Sequence, residues 1–452
     1  MNKNTENNKP LLRIVELCSG MGAQVKGFEN SDCFDVLSVA TADMDKEVIV
    51  SYAAIHCGLT KDLIEDCDYP SKAVMVDDLK SKRIGYDFKK DNEYDWDKVA
   101  RRKDKLKGIE KYWLADKLSN NLGDIEKIKS IPDCDLLTYS TPCQSISISG
   151  KQEGLNWTCK DCSHTYNPSD YDVEDRYTCP NCNGHNIKST RSGLLYEVER
   201  LLVNAKDNGN LPKYLLMENV DALVSTKYID GFNDWLDRLD NLGYNSYYKV
   251  INAKHTGLPQ NRNRIFVISI RKDIDSGKFE FPKPFDTGIR LRDMLETDEK
   301  VLEKYFLSDE VQERLSITNE ELIENMPIHI ADLCSDKYKK MHEQSRRVYD
   351  EDGVSPAMHT CGGGNTECKV SRNKLKVVRK ITPKEANRLM GFDDIDYERC
   401  VELGMSDTQG YKQTGNSIAV SVITLIAQHL YKAQYDNEYV CYDENFTNPP
   451  MD

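Results

Sequence analysis

Leu11-Leu12-Arg13-Ile14-Val15-Glu16-Leu17-Cys18-Ser19-Gly20-Met21-Gly22 is a mostly apolar run that ends in a turn built on two glycines. Apolar runs of this length between turn signals read as buried strands, and a helix is expected from Ala23. The same alternation then repeats: a strand at 35–42 and a helix at 46–55, with later strands at 135–139, 213–217, 246–252 and 264–270. Helices are expected near 191–206 and 228–242. Strand–helix alternation predicts an α/β fold whose largely parallel sheet carries helices on both faces. The charged stretch 80–120 interrupts the pattern and reads as a helical excursion.

Past Arg271 the alternation stops. A Pro-rich turn, Phe281-Pro282-Lys283-Pro284, mixed helical stretches and Cys361-Gly362-Gly363-Gly364 point to a second, smaller domain. Core-like helices return at 383–390 and 418–430. The expected division is therefore 1–270, 271–377, a C-terminal segment 378–432 packing back on the first part, and a polar tail 433–452.

Composition narrows the class. A chain of 452 residues can bury two or three cores. Residues 1–10 are polar and lack the apolar core of a signal peptide. No run approaches the roughly 18 apolar residues of a membrane span, so a cytoplasmic protein without a membrane partner is expected. Of 15 cysteines, eleven are scattered and four form two close pairs, which suits thiols and a metal site in a reducing compartment. A net charge of −14 argues against coating nucleic acid nonspecifically, although local phosphate contacts remain open to it. Two basic runs, 98–111 and 369–388, read first as solvated faces, the former on a charged helix.

Reactive groups in α/β sheets sit just past the carboxyl ends of strands. Cys143, in Ser140-Thr141-Pro142-Cys143-Gln144, follows one strand, and Glu218-Asn219 follows another. A thiolate and a carboxylate can thus converge on one crevice. Taken alone, such a cysteine is usually a packed core residue and such a Glu-Asn a cap or turn. Asp43 ends the second strand, where an acidic residue accepts hydrogen bonds from ribose hydroxyls. The third glycine of a dinucleotide fingerprint would fall on Val25, so a nucleoside without a pyrophosphate fits better. S-adenosylmethionine is the candidate.

In order along the chain stand Glu16-Leu17-Cys18-Ser19-Gly20-Met21-Gly22, Asp43-Met44-Asp45, Leu122-Gly123-Asp124-Ile125, Pro142-Cys143-Gln144 and Glu218-Asn219-Val220. Gln260-Asn261-Arg262-Asn263-Arg264, Arg388-Leu389-Met390-Gly391-Phe392 and Tyr411-Lys412-Gln413-Thr414-Gly415-Asn416-Ser417 follow. Motif by motif the chain resembles the DNA (cytosine-5) methyltransferase family of bacteria and phages over nearly its whole length. The resemblance implies a Rossmann-like S-adenosylmethionine-dependent methyltransferase sheet with a target-recognition domain at 271–377. It implies sequence-specific methylation of cytosine C5 in double-stranded DNA. A monomer is expected, and a cognate restriction endonuclease is compatible with the sequence but not readable from it.

The resemblance also assigns roles. Cys143 would add to C6 of a flipped-out cytosine, converting C5 into an enamine-like nucleophile. Glu218 would assist at N3, Arg264 would engage the O2 side and Arg262 would support the pocket. The base that removes the C5 proton is unidentified, and water is compatible. The turn at Gly20 and Gly22 would admit the methionine portion of the cofactor; Asp43 would hold the ribose and Met44 would lie on the adenine. Asp124 would contact the adenine amino group, Asn416 and Ser417 would close the cofactor pocket, and Leu17, Cys18, Ile125 and Pro142 would also bind the cofactor, Cys18 on the adenine-stacking side. Cys18 stands where many members carry an aromatic residue, and Met44 where a bulkier side chain is common. Gln144, Asn219, Thr360, Gly362 and Gly363 are candidate DNA contacts.

One departure is large. Cys159-Lys160-Asp161-Cys162, sixteen residues, and Cys179-Pro180-Asn181-Cys182 lie in an insertion at 155–190. Two CxxC knuckles suit tetrahedral structural Zn2+ and leave no open position for catalysis, with opportunistic thiols or a redox pair as alternatives. This ribbon is read either as an extension of a DNA-contacting lid or as a staple for a long loop. Two rival functions share the motifs: methylation of RNA by the same chemistry, and a non-enzymatic DNA-binding regulator.

Overall fold

The computed structural model describes residues 9–87, 92–140, 156–188, 194–318, 323, 325–334, 338, 340–361 and 366–440. Its central sheet has six strands: β1 (Leu11–Leu17), β2 (Asp35–Ala42), β3 (Leu136–Tyr139), β4 (Tyr214–Val220), β5 (Tyr244–Asn252) and β6 (Asn263–Arg271). They lie in the order β2-β1-β3-β4-β6-β5. The first four pair in parallel, but β6 runs antiparallel to both neighbours. The short connection 253–262 is the physical reason, because parallel strands need a longer crossover.

Alternate strand residues face opposite sides. Leu12, Ile14, Leu136, Leu216, Phe266 and Ile268 pack with helices α1 (Ala23–Asn30) and, from the C-terminal segment, Val420–Tyr435. Val15, Leu17, Leu137, Tyr139, Met217 and Val267 pack on the other side with helices Leu195–Asp207 and Ile229–Leu242. In the first of these two helices Leu195, Val198, Leu202 and Ala205 recur at helical spacing and are buried. Gly243, at φ 107°, closes the second in the left-handed conformation that glycine adopts without strain.

The excursion before β3 folds as helices Lys72–Ser81, Trp96–Ala100 and Ile109–Leu118 around Leu79, Trp96, Ile109 and Ala115. The run 98–111 is therefore not one charged helix. Lys111 is buried and donates to the Leu403 carbonyl at 2.9 Å.

Beyond β6 a second sheet joins Leu315–Ile317, His329–Leu333, Arg347–Asp350, Lys369–Arg372 and Val377–Lys380, with a separate core of Leu307, Ala331, Leu333, Val348 and Val378. Its last strand runs past residue 377. The basic run 369–388 departs from the solvated-face reading, since most of its charges are spent inside the protein. Lys369 is buried on the Ser345 carbonyl at 2.7 Å, and buried Arg379 pairs with Glu385 at 2.8 Å and Asp298 at 3.0 Å. Arg388 pairs with Asp394 at 2.7 Å. Lys374 and Lys376 stay exposed. No helix among the described residues is long and apolar enough to cross a membrane.

Candidate active site

The carboxyl ends of β1 to β4 lie along one edge, and the antiparallel β6 begins there: Leu17 pairs with Ala42 and Tyr139, Tyr139 with Met217, and Arg264 with Val220. The strand order reverses between β1 and β3, and such switch points open a ligand crevice beyond the strand ends. Glu218, Asn219, Arg262, Arg264 and Asp43 are gathered on that edge. Pro142, Cys143, Gln144, Gly362 and Gly363 lie outside the described residues.

At β1 the chain turns through Cys18, Gly20 and Gly22, with φ of 57°, 56° and 77°. A Cβ on Gly22 would sit 2.3 Å from His56 Nε2, so a larger residue cannot stand there. His56, on helix α2 (Lys46–His56), also pairs its Nε2 with the Met21 carbonyl at 2.9 Å, and burial pushes its pKa down to about 4. The imidazole is therefore neutral at pH 7 and buttresses the turn. On the opposite side, a Cβ built on Gly20 meets nothing within 4 Å, leaving room for a ligand against the turn.

Asp43 borders that room. Its carboxylate accepts from the Gly20 amide at 3.2 Å and the Asp45 amide at 2.8 Å. Burial raises its pKa to about 6, against the opposing pull of those amides. Asn121 fixes the neighbouring backbone from both sides, accepting from Asp43 N at 2.9 Å and donating to Asp43 O at 3.1 Å. Asp124 is buried, accepts from the Glu126 amide at 3.1 Å and pairs with Arg83 at 2.6 Å. Arg83 was not among the residues read as site candidates, because it stands inside a charged run with no motif. Two acceptor-only carboxylates beside an open glycine turn suit the hydroxyl and amino donors of a nucleoside. Ile125 is buried beside Asp124, and Met44 is partly exposed next to Asp43. Cys18 is not a second nucleophile: burial, with Asp43 and Asp124 nearby, pushes its thiol up to about 12.

Glu218 is buried, and Arg264 Nε approaches its Oε1 at 3.1 Å. Burial raises the carboxyl pKa, and Arg264 and Arg262 pull it back. The group therefore holds its proton to a higher pH than an ordinary glutamate. Asn219 is buried and turns its Oδ1 to the Val220 amide at 2.9 Å. Arg262 is buried and donates to the carbonyls of Met358, Gly415 and Ser417 at 3.1, 3.0 and 2.9 Å. One guanidinium thus ties the strand edge to two distant segments. They meet directly as well, since a Cβ on Gly415 would fall 2.4 Å from Thr360 N. Thr360 and Asn416 are exposed there, and Ser417 is buried.

Cys159, Cys162, Cys179 and Cys182 bring their sulfurs within 4.8 Å of one another, with 159–182 and 162–179 both at 3.6 Å. Four sulfurs each about 2.3 Å from a tetrahedral ion stand about 3.8 Å apart, so the cluster can hold zinc.

Comparison with known proteins places the chain in a family. The family model for "C-5 cytosine-specific DNA methylase" matches residues 92–161 and 183–432, leaving most of the four-cysteine ribbon between the two matched segments. The Lactococcus lactis subsp. cremoris protein "Type II methyltransferase M2.ScrFI" is 31% identical over 431 residues, covering 94% of this chain and 100% of that one. The "Orphan methyltransferase M.SssI" of Spiroplasma monobiae is 30% identical over 435 residues, covering 93% and 97%. Among solved structures, the Entamoeba histolytica methyltransferase EhMeth shares the fold, with a TM-score of 0.52 at 14% identity over 94% of this chain and 99% of that one.

Proposed function

The chain belongs to the C-5 cytosine-specific DNA methylase family, is a DNA cytosine methyltransferase that uses S-adenosylmethionine, and we propose that Cys143 and Glu218 carry its chemistry. The observation that carries the assignment is the Glu218–Arg264–Arg262 cluster at the strand edge from which the Cys143 segment departs.

Cytosine C5 is a weak nucleophile while the ring is aromatic. The Cys143 thiolate forms an S–C6 bond, and the electron pair displaced from the C5–C6 double bond moves toward N3. Glu218, whose burial favours the protonated form, donates to N3 and neutralises that charge, leaving an enamine at C5. S-adenosylmethionine, when bound, supplies the electrophilic methyl that C5 accepts. A base, for which water suffices, then takes the C5 proton; those electrons reform C5–C6 and expel the Cys143 thiolate, while the N3 proton returns to Glu218. Arg264 holds Glu218 in place and faces the O2 side of the base, while Arg262 fixes the surrounding backbone. Because C5 and C6 lie inside the duplex stack, the target base must be flipped out.

For the cofactor, Gly20 and Gly22 take the methionine portion, Asp43 the ribose, and Met44 and Asp124 the adenine, with Leu17, Cys18 and Ile125 lining the same site. Pro142, Asn416 and Ser417 close the site. Gln144, Asn219, Thr360, Gly362 and Gly363 contact DNA, and the second sheet reads the sequence within the target-recognition region 271–377. The enzyme acts on double-stranded DNA as a cytoplasmic monomer, and Cys159, Cys162, Cys179 and Cys182 hold structural zinc. Incubation with methyl-labelled S-adenosylmethionine and mixed genomic DNA, followed by mapping of modified cytosines, tests the reading. Methylation at one short recurring sequence, lost in Cys143→Ala, is expected. Transfer into transfer RNA but not DNA would contradict it.

A further inference from the structure

The ribbon 156–188 is built as a small sheet, Trp157–Cys159 pairing antiparallel with Thr165–Tyr166 and Ile187–Lys188. What distinguishes it is its seat. Arg176 is almost fully buried at 1% exposure, ion-pairs with Glu199 at 2.7 Å and donates to the Tyr171 carbonyl at 3.2 Å. Glu199 belongs to helix Leu195–Asp207, and Arg238 of helix Ile229–Leu242 holds its other oxygen at 3.1 Å. The Arg176 guanidinium lies 5.0 Å from the Tyr196 ring, Trp157 meets the same ring edge-on at 6.1 Å, and Tyr177 donates to Glu197 at 2.9 Å. A buried arginine paired this way cannot be withdrawn cheaply, so the ribbon is fixed to the catalytic sheet's covering helices.

Its outer surface does not suit phosphates. Carboxylates at 161, 170, 172, 174 and 175 are exposed against Lys160 and Lys188. Zinc on four thiolates adds a further charge of about −2. DNA affinity comes chiefly from cations facing phosphates, and here the balance is reversed.

The placement along the chain supplies the function. Ser140, just past β3, donates its amide to the Leu17 carbonyl three residues before Cys143, and the ribbon begins at Asn156, thirteen residues after Cys143. Docking fixes the chain thirteen residues past Cys143, whereas helix Leu195–Asp207 begins fifty-two residues past it, and loop-closure entropy grows with such a length. We propose that the ribbon is a metal-held clamp, docked through Arg176 on Glu199, that positions the Cys143 segment for turnover without touching DNA. The proposal rests on Cys143 being the nucleophile. Arg176 is a positioning residue.

The test compares wild type, Arg176→Gln, Arg176→Lys and Cys143→Ala with zinc-stripped and zinc-restored wild type. The readouts are zinc content, single-turnover rate, affinity for S-adenosylhomocysteine, and DNA affinity against salt. Loss of zinc and Arg176→Gln should each lower the single-turnover rate by about tenfold or more, as expected when a reacting group is misplaced. Arg176→Lys should recover part of the rate. The affinity for S-adenosylhomocysteine and the salt slope of DNA binding should stay unchanged, and trypsin should cut within 156–188 only after zinc is stripped. A full rate without zinc would overturn the clamp, as would a loss appearing as weaker DNA binding with a shallower salt slope. Turnover retained by Cys143→Ala would instead refute the reading beneath it. If Arg176→Gln does not fold, reversible zinc removal from folded wild type decides alone.

Discussion

Glu218 and Glu199 are both buried carboxylates facing arginines, and they are put to opposite uses. Glu218 meets Arg264 at 3.1 Å at an open strand edge, and burial lifts its pKa above the ordinary value. Glu199 is gripped from two sides, by Arg176 at 2.7 Å and Arg238 at 3.1 Å, between a helix and the ribbon. The first is biased by burial toward its protonated form at the end of a strand; the second has both oxygens committed to holding elements together. Local pairing geometry, rather than residue type or burial, separates an acid that can act from one that only fastens.

Glutamine at each position sharpens the contrast. Glu218→Gln should cut turnover by about 10²–10⁴-fold with little change in urea unfolding, because a general acid is lost but the shape is kept. Glu199→Gln should cost about 3–5 kcal/mol in the same unfolding experiment, since buried Arg176 then loses its charge partner and Arg238 is left with Asp234. Equal stability losses in the two variants would erase the distinction. A smaller effect is expected at Arg262, where alanine strands the Met358, Gly415 and Ser417 carbonyls and should cost about 2–4 kcal/mol in urea unfolding.

The mildest expectation concerns pH. The Asp43 pKa is raised from 3.8 to about 6, so the cofactor-free protein binds this proton more tightly than its unfolded chain does. Its contribution to stability is present at low pH and is lost as pH rises through about 6. Cofactor binding runs the other way. Ribose hydroxyls favour the carboxylate, so affinity for S-adenosylhomocysteine should fall as pH drops through about 6. Calorimetry across pH 5–8 should show that fall in wild type and a flatter profile in Asp43→Asn; an unchanged profile in the variant would remove Asp43 from the site.

Much of the sheet was legible because apolar alternation and turn chemistry are local. The stretch Leu11–Leu17 with its glycines, the strand ending in Glu218 and the run into Arg264 all declare themselves within ten residues. The antiparallel β6 was not read, because pairing direction depends on the path of 253–262 rather than on the strand's own residues. The basic run 369–388 misled for a related reason: Arg379 and Lys369 look solvated until the distant Asp298 and Ser345 are brought to them. The four cysteines were plain from spacing, but Arg176 was not, since nothing local marks an arginine that will be buried against Glu199.

The central claim is tested most directly by duplex DNA carrying 5-fluorocytosine at the methylated position. Fluorine cannot leave C5 as the proton does, so elimination stalls with the protein still bonded to C6. A cofactor-dependent covalent complex whose digested peptide carries the base on Cys143, absent in Cys143→Ser, is the predicted result. A complex mapped to another cysteine, or none from enzyme that methylates normal DNA, would contradict the account.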